Sequence, residues 1–291
     1  MLAGLIRTMR PHQWVKNVFV LAPVVFAQEL FVTQKVVGAV AAFACFSLLA
    51  SAVYVLNDIV DVEADRAHPV KKNRPLASGV VSLSAARVTG VVLAAVALTG
   101  AWFVHPYCLA VLVAYVVNNI AYSFGMKRVA YLDVMSIVLG FELRVLAGSY
   151  AADVPPSVYL LAVTFLLAFF LGFGKRFHEL EQQEHSGSAS SRKVLERYNK
   201  KVVRVLLWVT GAATVCTYMA YTLDPHTREQ FGTPWLPVTG VFTLFAILRF
   251  MRLVRGQPGS DSPTEEMLKD IPFIANFGLW AITVVAIIYL G

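Results

Sequence analysis

The sequence is poor in charge and in cysteine. Only 15% of its 291 residues are Asp, Glu, Lys or Arg, against 57% apolar, and the mean hydropathy is +0.64. So little polar surface cannot cover a water-soluble fold of this size, which leaves lipid as the solvent. The three cysteines, Cys45, Cys108 and Cys216, stand singly within apolar stretches. Without the paired spacing of a disulfide framework or a metal knuckle, they read as small buried hydrophobes. The formal net charge of +7 and pI near 9.4 come without the exposed stripe of cations and aromatics that marks a nucleic-acid surface. Nucleic acid is therefore excluded as a partner, and membrane lipid is expected. Residues 1–17 carry Arg7, Arg10 and Lys16 and have no uninterrupted apolar core ahead of a small-residue cleavage site, so no cleaved signal peptide is expected. Neither a soluble domain nor an internal repeat is evident.

What is abundant is apolar length. A bilayer core takes about 20 mostly apolar residues per helix, and nine stretches approach that, at about 17–33, 36–59, 83–104, 106–124, 132–151, 157–174, 203–223, 235–254 and 271–290. The first is the weakest, interrupted by Pro23, Gln28 and Glu29. The expected fold is all-α: one transmembrane domain over residues 1–291, a polytopic bundle of nine helices. With the N-terminus inside, the outer side keeps only Lys35 and Arg228, Arg144 lies within a span, and every other Lys or Arg falls on the inner side. The positive-inside rule then sets the N-terminus in the cytoplasm and the C-terminus outside, in the cell (inner) membrane. The long inner connections are 60–82, 175–202 and 255–270. The middle one contains the Ser/Gly stretch Glu184 to Ser191, read first as a solvated tether and second as a mobile lid.

The second stretch ends in Asn57-Asp58 and continues through Asp61, Glu63 and Asp65 to His68-Pro69, where proline stops a helix. At about 100° per residue, with Asn57 at zero, Asp61 falls near 40°, Asp65 near 80° and Asp58 near 100°. Glu63, near 240°, points elsewhere. Three carboxylates on one face repel one another and call for a cation. Mg2+ suits them, since it takes oxygen ligands and bridges carboxylates to substrate phosphates. A solvated acidic helix end neutralised by nearby lysines is the plainer alternative. Next comes Lys71-Lys72-Asn73-Arg74-Pro75, followed by Leu76-Ala77-Ser78-Gly79, cations in a restricted turn. It reads either as an inner-surface patch for anionic lipid or, beside the acidic face, as the phosphate grip.

Asn57-Asp58-x-x-Asp61-x-x-x-Asp65 resembles the first aspartate-rich motif of the UbiA superfamily of intramembrane prenyltransferases. The opening Arg10-Pro11-His12-Gln13-Trp14-Val15-Lys16-Asn17, the run Asp65-Arg66-x-His68-Pro69-x-Lys71-x-x-Arg74-Pro75-x-Ala77-Ser78-Gly79, and Tyr122-Ser123-x-x-x-Lys127 with Asp133 are similar to one branch of it. That branch is the decaprenyl-phosphate phosphoribosyltransferases of mycobacterial-type cell walls. In classical UbiA enzymes a second Asp-x-x-x-Asp motif lies near the end of the sixth span, where this chain has Gly172-Phe173-Gly174-Lys175-Arg176-Phe177-His178-Glu179. Two cations there suit a donor with an additional phosphate, such as 5-phosphoribosyl 1-diphosphate. An ordinary Lys175 and Glu179 pair at a helix end is the alternative.

The resemblance implies transfer of 5-phosphoribose from 5-phosphoribosyl 1-diphosphate to decaprenyl (polyprenyl) phosphate at the cytoplasmic face, with diphosphate leaving. Asp58 and Asp61 would be catalytic, with Asp58, Asp61 and Asp65 holding Mg2+. Lys16, Asn17, Asn57, Lys71, Arg74, Tyr122, Lys127, Asp133, Arg144, Lys175 and Arg176 would bind substrate. Arg144, on the same helical face as Asp133 and roughly 16 Å deeper, is favoured as a cavity residue near the acceptor phosphate over a structural ion pair. Glu142 projects almost opposite to it. The runner-up keeps fold and metal but moves a prenyl group from a prenyl diphosphate to an aromatic or other acceptor. A transporter or lipid flippase also fits nine spans, although its site should lie near the bilayer midplane. Whether the chain forms a homo-oligomer is left open.

Overall fold

A computed structural model describes residues 2–68, 70–186, 193–255 and 263–291, and all regular structure among them is helical. In chain order come α1 (Leu2–Met9), a 3-10 helix (Pro11–Val20), α2 (Ala22–Phe26), α3 (Thr33–Val60), α4 (Val62–Ala67), α5 (Leu83–Val104), α6 (Pro106–Phe124) and α7 (Leu132–Ala151). There follow α8 (Val158–Ser186), α9 (Lys200–Leu223), α10 (Pro225–Phe231), α11 (Gly240–Val254), α12 (Pro263–Met267) and α13 (Ile271–Leu290). Among the described residues eight helices are long and apolar enough to cross a bilayer: α3, α5 to α9, α11 with the 3-10 turn before it, and α13. They coincide with eight of the nine expected stretches. The exception in length is α8, which continues to Ser186 where a connection was expected from residue 175. Gly187 to Arg192, within the expected tether, lie outside the described residues.

The remaining stretch, 17–33, is not a regular α-helix. Pro11 and Pro23 each start a short helix, and Gln28 turns the chain with φ +61°. Yet the segment runs the length of α3. Arg10 meets Asp58, Trp14 Nε1 donates to Ser51 Oγ at 3.0 Å, Asn17 Nδ2 donates to Ser47 Oγ at 3.0 Å, and Val24 shares an apolar cluster with Ala39. Fourteen residues of the segment thus keep pace with nineteen of α3, about 28 Å at the α-helical rise. That requires about 2.0 Å per residue, the rise of a 3-10 helix. The extended winding lets a stretch too short for an α-helical span match its neighbour.

Packing divides the chain into two compact units, Met1–Phe124 with Gly140–Pro156, and Gly125–Leu139 with Ser157–Gly291, where the sequence reads as one undivided domain. In the first, α3 packs on α5 and α6 around Phe46, Leu49, Ala97, Ala101, Leu112 and Tyr115. Small residues on α5 let the helix axes approach, which in lipid is how helices gain contact. Gly148 of α7 lies directly against the Val20 carbonyl and leaves no room for a side chain. In the second unit α8 packs on α9 and α11, and Gly174 admits the ring of Phe250.

Candidate functional site

The acidic end of α3 keeps its expected register. Asp61 N–H donates to the Asn57 carbonyl at 2.9 Å and Asp65 N–H to the Asp61 carbonyl at 2.8 Å, so the i to i−4 ladder carries through the joint between α3 and α4. Asp58 and Asp65 are buried, at 3% and 4% exposure, whereas Asp61 is half-buried and Glu63 is exposed. Glu63 instead pairs with Arg66 at 2.8 Å on the surface.

Two buried carboxylates are tolerated only with cations on them. Arg74 Nη1 lies 2.6 Å from Asp65 Oδ2 and 3.3 Å from Asp58 Oδ1, which puts those two oxygens at most 5.9 Å apart. Arg10 Nη2 takes the same Asp58 Oδ1 at 2.6 Å. Arg10 has φ +53°, a left-handed conformation that costs an L-residue about 1–2 kcal/mol. There it ends α1, opens the 3-10 helix and sets its guanidinium 5.3 Å from the centre of the Tyr54 ring. Asn57 Oδ1 accepts from Ser123 Oγ at 2.6 Å, which ties the inner end of α6 to the site beside half-buried Tyr122.

The three-carboxylate metal set expected from Asp58, Asp61 and Asp65 is not assembled here. Among the described residues no three His, Cys, Asp or Glu side chains are arranged to hold a metal ion. What the fold assembles is a quartet of Asp58 and Asp65 with Arg10 and Arg74, in which guanidinium groups hold one oxygen of each acid. The donor set still fits a hard divalent cation: two buried, converging carboxylates, with Asp61 and Asn57 one turn along the same ladder.

Arg144 and Asn17 meet inside the first unit. Arg144 Nε donates to Asn17 Oδ1 at 2.8 Å, Nη1 to the Gly140 carbonyl at 2.6 Å and Nη2 to Tyr115 Oη at 3.4 Å. Its guanidinium also lies 4.9 to 5.3 Å from the ring centres of Phe46, Tyr115 and Phe141. Asn17 is wholly buried, with its amide nitrogen on Ser47. Both side chains are turned into the protein and hold the N-terminal segment to α3 and α7. A cation inside the bilayer needs such partners.

In the second unit Asp133 and Arg176 meet, with Arg176 Nε 3.2 Å from Asp133 Oδ2 and Arg176 Nη1 on Glu179 Oε2. Arg176 is wholly buried and Asp133 1% exposed. Glu179 thus pairs with Arg176 within α8. Tyr198, which no sequence pattern marked, donates to Asp133 Oδ1 and accepts the Tyr131 N–H at 2.8 Å. Burial, and then the hydrogen bond to Asp133, push the Tyr198 phenol above its ordinary pKa. Lys127 and Lys175 are half-buried in this unit, as Lys16 and Lys71 are in the first.

Arg10 is the other residue missed. It stood in the quoted opening motif, but nothing local in sequence connects it with Asp58, 48 positions away.

Residues 18–268 match the UbiA prenyltransferase family. Over its full length the chain is 35% identical to the decaprenyl-phosphate phosphoribosyltransferase of Mycobacterium tuberculosis, covering 96% of that protein. It is 33% identical over 99% of its length to the Corynebacterium glutamicum protein of the same name, covering 87% of it. A solved UbiA homolog from Archaeoglobus fulgidus bound to GPP and Mg2+ shares the fold, with a TM-score of 0.73 at 18% identity over 98% of this chain and 99% of that one. With eight helices able to cross a bilayer and the family region extending over residues 18–268, the chain is a multi-pass membrane protein that belongs to the UbiA prenyltransferase family.

Proposed function

We propose that the protein, as a single UbiA-like domain, transfers 5-phosphoribose from 5-phosphoribosyl 1-diphosphate to decaprenyl or another polyprenyl phosphate at the cytoplasmic face of the cell membrane. The lipid product is a precursor of the arabinose donor for cell-wall arabinan. The observation that carries this reading is identity of 33 to 35% along essentially the whole chain to proteins named decaprenyl-phosphate phosphoribosyltransferase. The chemistry of the second unit supports it. Where classical members carry a second acidic motif, this chain has Lys175 and an Arg176 already neutralised by Asp133 and Glu179.

In the reaction an ionised oxygen of the polyprenyl phosphate attacks the anomeric carbon of the donor, and the bond from that carbon to the diphosphate oxygen breaks. The attacking oxygen carries no proton near pH 7, so no general base is needed and positioning dominates. Mg2+ would be held by Asp58 and Asp65, with Asp61 and Asn57 beside them, and when bound it stabilises the charge growing on the diphosphate. Arg10 and Arg74 supply donors to the same group. Lys16 and Lys71 in the first unit, and Lys127 and Lys175 in the second, are half-buried cations suited to anionic substrate groups, and Tyr122 lies at the same end of α6 as Ser123. The isoprenoid tail lies among apolar helix surfaces.

The test is purified protein with labelled 5-phosphoribosyl 1-diphosphate plus polyprenyl phosphate, beside labelled prenyl diphosphate plus aromatic acids. Labelled lipid is expected from the first pair. Label incorporated only from the second would overturn the reading.

A further inference from the structure

We infer that Arg10 and Arg74 make metal binding at the acidic site conditional on diphosphate: they exclude a bare divalent cation and admit one that arrives with a diphosphate. The inference rests on Asp58 and Asp65 as the metal-diphosphate site and is independent of which donor brings the diphosphate.

The competition is one of position. Asp58 Oδ1 accepts from both Arg10 Nη2 and Arg74 Nη1, and Arg74 Nη1 also reaches Asp65 Oδ2. A metal ion bound to these two oxygens must displace guanidinium groups that already hold them, and one bound to the other oxygen of each acid still sits beside those groups. The Asp58 and Asp65 side chains are 4% and 5% exposed, whereas those of Arg10 and Arg74 are 25% and 31% exposed. The acids are therefore the buried half of the quartet, and the arginines are the half that faces solvent.

The competition is also one of charge. Two carboxylates and two guanidinium groups sum to zero. A divalent cation entering alone would raise the cluster to two positive charges around buried oxygens, which is costly where water is scarce. Diphosphate bears more negative charge than one divalent ion cancels. When the two arrive together, the metal takes the carboxylates and the released arginines take the phosphate oxygens, for which their planar donors are suited. Each of the four groups then ends with a partner of opposite sign. Binding of metal and of diphosphate are thereby coupled, and each must raise the affinity for the other by the same factor.

Arg10 is held for this role. Its left-handed backbone turns the chain at the start of the 3-10 helix, and the Tyr54 ring lies 5.3 Å from its guanidinium carbon. Losing its charge has opposite consequences in the two states. The site accepts bare metal more readily, and it grips the metal with diphosphate less well. A residue that only supported the fold would weaken both.

The test measures Mn2+ binding to the full chain in detergent by electron paramagnetic resonance, with and without inorganic diphosphate, at free-ion concentrations corrected for the complex formed in solution. For the wild type, diphosphate is expected to tighten Mn2+ binding by about tenfold or more. Arg10→Gln is expected to bind Mn2+ alone about fivefold more tightly and Mn2+ with diphosphate more weakly. Arg10→Lys should restore part of the coupling. Arg66→Gln, which removes an exposed pair away from the quartet, should change neither affinity. Equal Mn2+ affinity with and without diphosphate in the wild type would overturn the inference even if Arg10→Gln failed to fold, and so would parallel weakening of both affinities in that variant. Absence of Mn2+ binding under every condition would overturn the metal reading itself, and the inference with it.

Discussion

Arg144 and Asn17, 127 positions apart, meet through a 2.8 Å hydrogen bond from Arg144 Nε to Asn17 Oδ1 in the middle of the first unit. With three aromatic rings around the guanidinium, the pair fastens an irregular N-terminal segment to two long helices. Arg144→Met is expected to lower stability by about 2–4 kcal/mol through lost hydrogen bonds and an orphaned Asn17 carbonyl. The thermal midpoint in detergent should fall, while the folded fraction keeps near wild-type specific activity. Lost turnover at an unchanged midpoint would return Arg144 to the substrate.

Asp58 and Glu63 lie five positions apart with different surroundings. Asp58→Ala should reduce metal-dependent diphosphate release by about 100-fold or more, since in the proposed reaction it removes a metal ligand at the leaving group. Glu63→Gln, which touches only exposed Arg66, should stay within about twofold of wild type. Comparable losses in both variants would show that general surface charge, and not the buried face, carries the chemistry.

Lys175 and Arg176 are neighbours with separate duties. Arg176→Leu strands the buried Asp133 carboxylate and is expected to cost about 3–5 kcal/mol, seen as a steep fall in folded yield. Lys175→Ala should fold normally and raise the KM for 5-phosphoribosyl 1-diphosphate by about tenfold with little change in kcat. An unaltered KM would remove Lys175 from the donor pocket.

Asp270 gives a pH-dependent signature remote from the acidic site. Arg249 holds it through Nη2 to Oδ2 at 2.6 Å and Nε to Oδ1 at 3.0 Å, and Oδ1 also accepts the Phe273 N–H at the start of α13. The hydrogen bond from Arg249 holds the Asp270 carboxyl below its ordinary pKa. Its contribution is therefore complete above the unfolded carboxyl value, about 3.9, and is lost as pH falls through the lower folded value. Asp270→Ala should lower the thermal midpoint at pH 7, where the lost cap is worth about 1 kcal/mol. The difference from wild type should shrink below about pH 4. A difference that persists undiminished in stronger acid would contradict the assignment.

The acidic face was legible because helical periodicity is local. Asn57, Asp61 and Asp65 are spaced by the same four residues that the backbone ladder connects. What neutralises the face was only half legible. Arg74 follows Asp65 by nine positions and could be read beside it, but Arg10 comes from a segment 48 positions before Asp58. Burial and internal partners were not legible for Asn17, Asp133, Arg144 and Arg176. A polar residue in an apolar stretch marks either a ligand site or an internal network, and composition does not distinguish them.

The sequence by itself determined that the protein lives in lipid, which stretches form its eight long helices, and that one helix end carries carboxylates on a single face. These follow from apolar length and from a fixed angular repeat, both properties of contiguous residues. Only the tertiary structure decided that residues 10–24 keep pace with nineteen residues of α3 through a 3-10 helix over Pro11–Val20, that Arg10 and Arg74 sit on the buried acids, and that Arg144 and Arg176 join internal networks. Those outcomes depend on which distant side chains share a buried volume. There an unpaired charge costs more than any local preference can offset, so partners are chosen by the packing of whole helices.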